Sequence, residues 1–453
     1  MSSERSSFTG KIGFVLAAAG SAVGLGNIWR FPYLAAKYGG GIFLLVYVIL
    51  SVTFGFALMV AEIAIGRKTK QSPIGAFASL DKRFTFVGWL GAVVPILILP
   101  YYSVIGGWVT KYFVGFITGD AANMATDAYF GNYIGKVGEP IAWFLLFIAL
   151  TAIIVLFGVE KGIEKVSKIM MPVLVLLTIF IVIYTICTLD GALDGVLYYI
   201  KPDFSKFSIM TVVAAMGQLF YSMSLAMGIM ITFGSYMKKD ISIEKSVHQI
   251  ELFDTGIAFL AGLMIVPAVF AFEGGNTEAM NKGAGLMFIT LPKIFETMPG
   301  GTVIGALFFF MVLLAALTSA ISLMETVVSI FQDKLHMSRK TGCLAVFAVC
   351  LLFGIPSALG YSAWSGVTFL GMQFLDFFDF ISNSVLMPIV AFATCLFVGY
   401  FIRPKSAIID EASLGAPFKG KVLYTVIIRY VAPVCILAIL TSSVLDALGI
   451  FKI

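Results

Sequence analysis

Long apolar runs, each bounded by charge or by Gly/Pro punctuation, repeat along the whole chain. A run of about 20 apolar residues crosses the hydrocarbon core of a bilayer as a helix. The pattern predicts eleven such spans, near residues 12–36, 41–66, 86–117, 140–157, 166–187, 209–236, 249–272, 302–331, 342–359, 379–402 and 422–448. The runs around 86–117 and 302–336 exceed a perpendicular crossing, so they are expected to tilt or protrude. Three of the connecting stretches, near 118–139, 188–208 and 273–300, are long enough to pack over an entrance.

Two spans are interrupted. In the first, AAAGSAVGLGNIWRFP from Ala17 to Pro32 places Gly20, Gly24, Gly26, Asn27 and Arg30 at mid-membrane depth. Each glycine costs about 1 kcal/mol relative to alanine in a helix interior. An arginine at that depth costs roughly 2.5–3.5 kcal/mol on insertion scales and must face protein or water. Irregular backbone survives there only when buried in protein or lining a cavity, so the span is expected to break around something polar. A glycine-rich helix merely packed closely on its neighbours leaves Asn27 and Arg30 unexplained. The sixth span repeats the theme in GQLFYSMSLAMG, Gly217 to Gly228, with Gln218, Tyr221, Ser222 and Ser224. If residues 12–187 and 209–402 are two inverted repeats, with 422–448 an extra span, the two breaks fall at corresponding positions. That arrangement points to a transporter site at the midplane.

Composition agrees: of 453 residues, 60% are hydrophobic and 12% charged, with mean hydropathy +1.00. This is an integral membrane protein, all-α, as one domain over 1–453. The net charge of +5 is scattered among apolar spans and does not suggest nucleic acid. Lys and Arg are about threefold more frequent in the connections on the side of the N-terminus, which places that side in the cytoplasm and, with an odd number of spans, the C-terminus outside. The five cysteines (Cys187, Cys343, Cys350, Cys395, Cys435) lack metal-ligand spacing and read as packing residues. Without a small-residue cleavage site after the polar lead or an Asn-x-Ser/Thr acceptor, a prokaryotic inner (plasma) membrane is expected.

The chain resembles the neurotransmitter:sodium symporters, the family that includes the bacterial leucine transporter. The resemblance is carried by GSAVGLGNIWRFPYLAAKYGGGIFLLVY (Gly20–Tyr47), AEIAIGR (Ala61–Arg67), the Tyr101–Tyr102 pair, GQLFYSMSLAMG, LTSAISLMET (Leu317–Thr326) and RYVAP (Arg429–Pro433). It implies a five-plus-five inverted-repeat fold and sodium-driven import of an amino acid by alternating access, with the monomer sufficient for transport. Many relatives have a twelfth span; this chain stops at Ile453 without one.

Carried over residue by residue, the resemblance implies two Na+ sites of oxygen ligands. The first would use Ala22, Asn27, Ser222 and, where relatives commonly have Asn, Asp254. The second would use Gly20, Val23, Ala315, Thr318 and Ser319. Chloride-dependent relatives pair a Tyr, a Gln and hydroxyls near the first site; Tyr47, Gln218 and Ser222 match, but Ala258 stands near the expected serine. A fixed carboxylate at Asp254 replaces the anion's charge, so chloride independence is expected, with Asp254 exchanging a proton when sodium leaves. Monoamine carriers have an acid at the position of Gly24, and its absence leaves space for a substrate's own carboxylate, facing Tyr102 and the Leu25–Gly26 backbone. The ammonium would meet Ala22, Tyr221 and Ser224, and the side-chain pocket would be Ile98, Tyr221, Met227, Ala320 and Leu323, which suggests a hydrophobic (branched or aromatic) amino acid.

Two ion pairs would act as gates: Arg30 with Asp379 outside, Asp376 being a nearby competitor, and Arg5 with Asp333 inside, supported by Tyr236. Glu62 and Glu325 are read as hydrogen-bonded interior supports. Gly162 and Pro172 match a pattern that bacterial relatives use to unwind span five. Other readings are a carrier of another small zwitterion, an ion channel, against which two broken helices and paired gates argue, and a membrane enzyme. The last finds no catalytic constellation, since only His248 and His336 are present.

Overall fold

The computed structural model describes residues 6–274 and 283–447. Nine helices among them are long and apolar enough to cross a membrane: Gly41–Thr69, Lys82–Thr118, Gly138–Leu156, Val159–Thr188, Ile243–Phe272, Gly301–Leu335, Arg339–Leu359, Phe374–Phe401 and Lys421–Leu445. These are spans two to five and seven to eleven. Span one is a bent pair, Lys11–Ala22 and Gly26–Lys37, turned by 53°. Span six is two short halves, Ile209–Ser222 and Ile229–Tyr236. With these two the spans reach the eleven that the hydropathy pattern predicts.

Helix starts follow local chemistry. Ser208 opens span six with a capping box: its hydroxyl accepts from Thr211 N at 3.1 Å, and the Thr211 hydroxyl accepts from Ser208 N at 3.3 Å. Ser338 does the same for span nine by accepting from Thr341 N at 3.2 Å. Span five starts earlier than the apolar run suggests, at Val159 directly after Gly158, whose φ of +89° suits glycine. It is wound throughout the interval from Gly162 to Pro172.

Burial shows what is inside. In span eight 78% of the most apolar window is buried, against 33% in span four and 39% in span five. Leu176 and Ile183 of span five are exposed, as a lipid-facing surface requires. Span eight packs along span three, and the first half of span one lies against spans five, seven and eight. The two breaks therefore sit at the most enclosed place in the molecule. On the side of the N-terminus, fully buried Arg67 donates to Glu411 Oε1 at 2.8 Å, to Ile241 O at 2.6 Å and to the Glu411 carbonyl. That clamp ties span two to the connections between spans six and seven and between ten and eleven, and it satisfies a charge that could not be buried alone.

Candidate functional site

The breaks enclose a small cavity of about 30 Å3, room for a few waters, so any larger occupant must move the walls. Its lining includes Ala22, Leu25, Gly26, Ile98, Tyr102, Tyr221, Ser222, Ser224, Met227 and Leu323, all expected from the sequence. Gly24, Asn27 and Ser319 also line it. Ala320 does not, although it was expected there: it is fully buried, one residue past Ser319, and successive side chains on a helix point in different directions. Ser21 and Ile229 line the cavity without having been anticipated.

Close approach explains two glycines. A Cβ at Gly24 would lie 2.6 Å from Ser319 Oγ and 3.0 Å from the Tyr102 hydroxyl. At Gly26 it would lie 2.5 Å from the Tyr221 ring. Leu25 N donates to the Tyr102 hydroxyl at 3.3 Å, holding that hydroxyl beside the break. In span six, Ser224 and Ala226 take φ of +53° and +60°. Glu62 Oε1 accepts from Ala226 N at 2.7 Å, and the Ser224 hydroxyl donates to Ser21 O at 3.0 Å. Each break is thus braced by residues of other spans or of the other break.

Beside the cavity lies a fully enclosed polar knot. Asn27 Nδ2 donates to Asp254 Oδ1 at 2.8 Å and to Ser222 Oγ at 3.0 Å, and Ser222 donates to Asp254 Oδ1 at 2.6 Å. Tyr47 donates to Asp254 Oδ2 at 3.0 Å. Asn27 Oδ1 accepts from Gly24 N at 3.1 Å, which ties the knot to the break. A carboxylate this deep calls for a counter-charge, and Asp254 has no ion-pair partner among the described residues. No group of three or more His, Cys, Asp or Glu that could hold a metal occurs among the described residues. Asn27 turns its amide nitrogen toward Asp254 and Ser222, so the side-chain oxygens here that suit a hard monovalent cation are those of Asp254, Ser222 and Tyr47, with a single carboxylate. Near it, Gln218 donates to Gly26 O at 2.9 Å, and Ala258 is fully buried.

A second cluster joins span one to span eight. The Ser319 hydroxyl lies 3.0 Å from Ser21 O and 3.4 Å from both Gly20 O and Val23 O. The Thr318 hydroxyl turns into its own helix, 3.0 Å from Ala315 O. The five residues expected around a second cation are therefore neighbours, with Ser21 O an unexpected member.

The Arg30–Asp379 pair differs from expectation. Arg30 and Asp379 do not pair. The Arg30 guanidinium sits 5.5 Å from the centre of the Tyr221 ring, whereas Asp379 accepts from Tyr101 at 2.9 Å and Asn383 at 2.6 Å. Asp376 faces Tyr361 at 3.3 Å. On the side of the N-terminus Arg5 lies outside the described residues, so its expected pairing with Asp333 does too. Asp333 accepts from Ser72 N at 2.7 Å, and Tyr236 donates to Glu325 at 2.8 Å, which also pairs with Arg339 at 2.5 Å. What closes this side visibly is Phe8, fully buried among Phe14, Phe233 and Tyr236 at ring distances of 5.7, 5.7 and 6.2 Å. Thr9 straps the segment down by donating to Glu164 through both its N–H, at 2.9 Å, and its hydroxyl. No periodicity in the polar lead foretold that plug.

Comparison with known proteins gives a consistent answer. The family model described as the sodium:neurotransmitter symporter family matches residues 5–130 and 124–449. The chain is 37% identical over 441 residues to YhdH of Bacillus subtilis, an uncharacterized sodium-dependent transporter, covering 96% of each chain. It is 33% identical to MJ1319 of Methanocaldococcus jannaschii, another sodium-dependent transporter, over 92% of this chain and 87% of that one. It is 28% identical to the human sodium- and chloride-dependent creatine transporter 1, over 84% of this chain and 67% of that one. Among solved structures, MhsT in complex with L-phenylalanine superposes with a TM-score of 0.87 at 37% identity, covering 97% of this chain and all of that one.

Proposed function

The chain belongs to the sodium:neurotransmitter symporter family, with the leucine transporter fold, and from that premise we propose that it imports a hydrophobic amino acid, branched or aromatic, without a requirement for chloride. It is a sodium-dependent membrane symporter and not an enzyme. The observation that carries the proposal is the division of the central cavity into two ends. Leu25, Gly26 and the Tyr102 hydroxyl border one end, which is polar and carries no acidic side chain at Gly24, a place for a carboxylate. Ile98, Met227, Ile229 and Leu323 supply an apolar end. MhsT, with L-phenylalanine bound, supports a substrate of that class.

In this mechanism two sodium ions are cargo. The first takes the knot of Ala22, Asn27, Ser222 and Asp254; the second takes Gly20, Val23, Ala315, Thr318 and Ser319. Asp254 carries the fixed negative charge, and the buried methyl of Ala258 offers no hydroxyl to an anion. When sodium leaves, Asp254 takes a proton, which keeps the enclosed site neutral. The outer path closes when Arg30 swings from Tyr221 toward Asp379, and the inner path opens when the Phe8 plug leaves. Gly162 and Pro172 then loosen span five. The N-terminus lies in the cytoplasm of a cell whose inner (plasma) membrane holds the protein, as the charge bias indicates. Proteoliposomes carrying a sodium gradient test the proposal with labelled L-phenylalanine. Saturable uptake is expected with sodium, none with potassium, and no change when gluconate replaces chloride. Collapse in gluconate would refute chloride independence, and failure of large apolar amino acids to be taken up would refute the substrate class.

A further inference from the structure

The connection between spans five and six carries an apolar stripe that the transport site does not use. Its helix, Ala192–Ile200, buries Ala192, Gly195 and Tyr199 and packs along span seven. A Cβ at Gly195 would lie 2.6 Å from Pro267 Cα, so the helix is seated as closely as the backbone allows. Tyr199 fixes it further by donating to Phe259 O at 3.2 Å, and Tyr198 donates to Ala36 O at 2.7 Å. Leu193, Leu197 and Ile200 form one i, i+4, i+7 stripe away from this support, and Phe204, Phe207 and Ile209 follow it. All six are 45–79% exposed. A firmly seated element with so much bare apolar surface is not made for water. It joins two spans on the face opposite the N-terminus, where the acyl boundary of the bilayer continues from their lipid-facing sides.

Beside the stripe opens a groove of about 580 Å3, bordered by Leu197, Lys201, Asp203, Phe204 and Lys206. It shares no lining residue with the central cavity, and Asp194 of the same helix does not line it. Neither lysine forms an ion pair within 4 Å among the described residues. Lys206 Nζ is held 4.8 Å from the centre of the Tyr198 ring. The Asp203 carboxylate turns to its own loop, accepting from Ser205 N at 3.0 Å and Ser205 Oγ at 2.6 Å. It lies within electrostatic reach of both lysines and offsets one of their charges. The groove is left with one net positive charge, the complement of a single phosphodiester. We propose that it binds a phospholipid of net negative charge, with the phosphodiester at Lys201 and Lys206 and an acyl chain along Leu197 and Phe204. A zwitterionic headgroup brings a cation that the lysines oppose, and a soluble phosphate leaves the stripe bare.

The test uses the full-length protein in detergent micelles, titrated with phosphatidylglycerol or phosphatidylcholine brominated along the acyl chains. Phe204→Trp places a fluorophore at the groove, and the quenching gained over the parent protein reports this place alone. Brominated phosphatidylglycerol is expected to half-quench at a concentration about fivefold lower than brominated phosphatidylcholine. Adding Lys201→Ala and Lys206→Ala together should raise the phosphatidylglycerol half-point by about five- to tenfold and abolish the preference, and Lys201→Ala alone should raise it by about threefold. All three positions are exposed, and sodium-driven uptake, expected at the wild-type level, checks that each variant is folded. Equal half-points for the two lipids would overturn the proposal, as would quenching indifferent to the lysine substitutions, or no added quenching at all. Displacement of the brominated lipid by sn-glycerol 3-phosphate would make this a site for soluble phosphates and overturn it too.

Discussion

The two helix breaks that frame the central cavity are made of opposite materials. Span one turns by 53° with none of Gly20, Gly24 and Gly26 at positive φ. Val23 simply becomes extended, at φ −76° and ψ 101°. Here glycine supplies proximity, because side chains from spans three, six and eight crowd the positions where a Cβ would be. Span six breaks through left-handed backbone at two residues that carry side chains, Ser224 and Ala226, ahead of Gly228 at +75°. Left-handed geometry costs about 1–2 kcal/mol per such residue, so this break is imposed from outside by Glu62 and Ser21. Added volume should damage the first break, and a lost brace should damage the second.

The largest effect is expected from Gly26→Ala. Its methyl would sit 2.5 and 2.7 Å from two Tyr221 ring carbons, and that ring is both a cavity wall and the platform under Arg30. Overpacking of this kind costs typically 1–3 kcal/mol, so uptake should fall about tenfold or more. Gly24→Ala should be milder, because its nearest contact is a serine hydroxyl that can rotate away. If Gly26→Ala transports like wild type, proximity is not the reason for glycine in span one. Next in size is Glu62→Ala, which leaves the buried Ala226 N–H without its acceptor, at a cost of about 1–3 kcal/mol. Thermal unfolding in detergent should show the loss, and Glu62→Gln, whose amide oxygen still accepts, should recover most of it. Equal damage from both substitutions would mean that the carboxylate charge, not the hydrogen bond, braces span six.

The parts of this arrangement that could be read in advance are those with a local signature. Eleven spans follow from apolar run length, and both breaks follow from glycines and polar residues inside such runs. Asn27, Ser222 and Asp254 each stand out as polar side chains at membrane depth, and the structure places them in contact. The rest depended on direction and on distant partners. Past a break the helical period no longer says where a side chain points, so Ser21 and Ile229 were missed. Ala320 stands one step around span eight from Ser319 and does not line the cavity. Phe8 packs into the end of the bundle nearest the N-terminus only because the polar lead folds back under span six, and no spacing encodes that return. Arg30 and Asp379 carry complementary charges, but whether they meet depends on how spans one and ten stand relative to each other, which composition does not determine.

The smallest effect, and the sharpest contrast, should come from Ala226→Gly. Glycine takes φ near +60° without the steric cost of about 1–2 kcal/mol. It gives back roughly 0.5–1 kcal/mol through the greater freedom of the unfolded chain and about 0.8 kcal/mol through the lost burial of one methyl group. These contributions nearly cancel, so stability should stay within about 1 kcal/mol of wild type and uptake should be close to unchanged. The same pair of residues exchanged in opposite directions would then be damaging at position 26 and nearly silent at 226. A loss of more than about 2 kcal/mol in Ala226→Gly, measured by the same thermal unfolding, would mean that the buried Ala226 methyl is itself a packing brace. Span six would then be held by contact as span one is, and the distinction between the two breaks would reduce to the sign of φ.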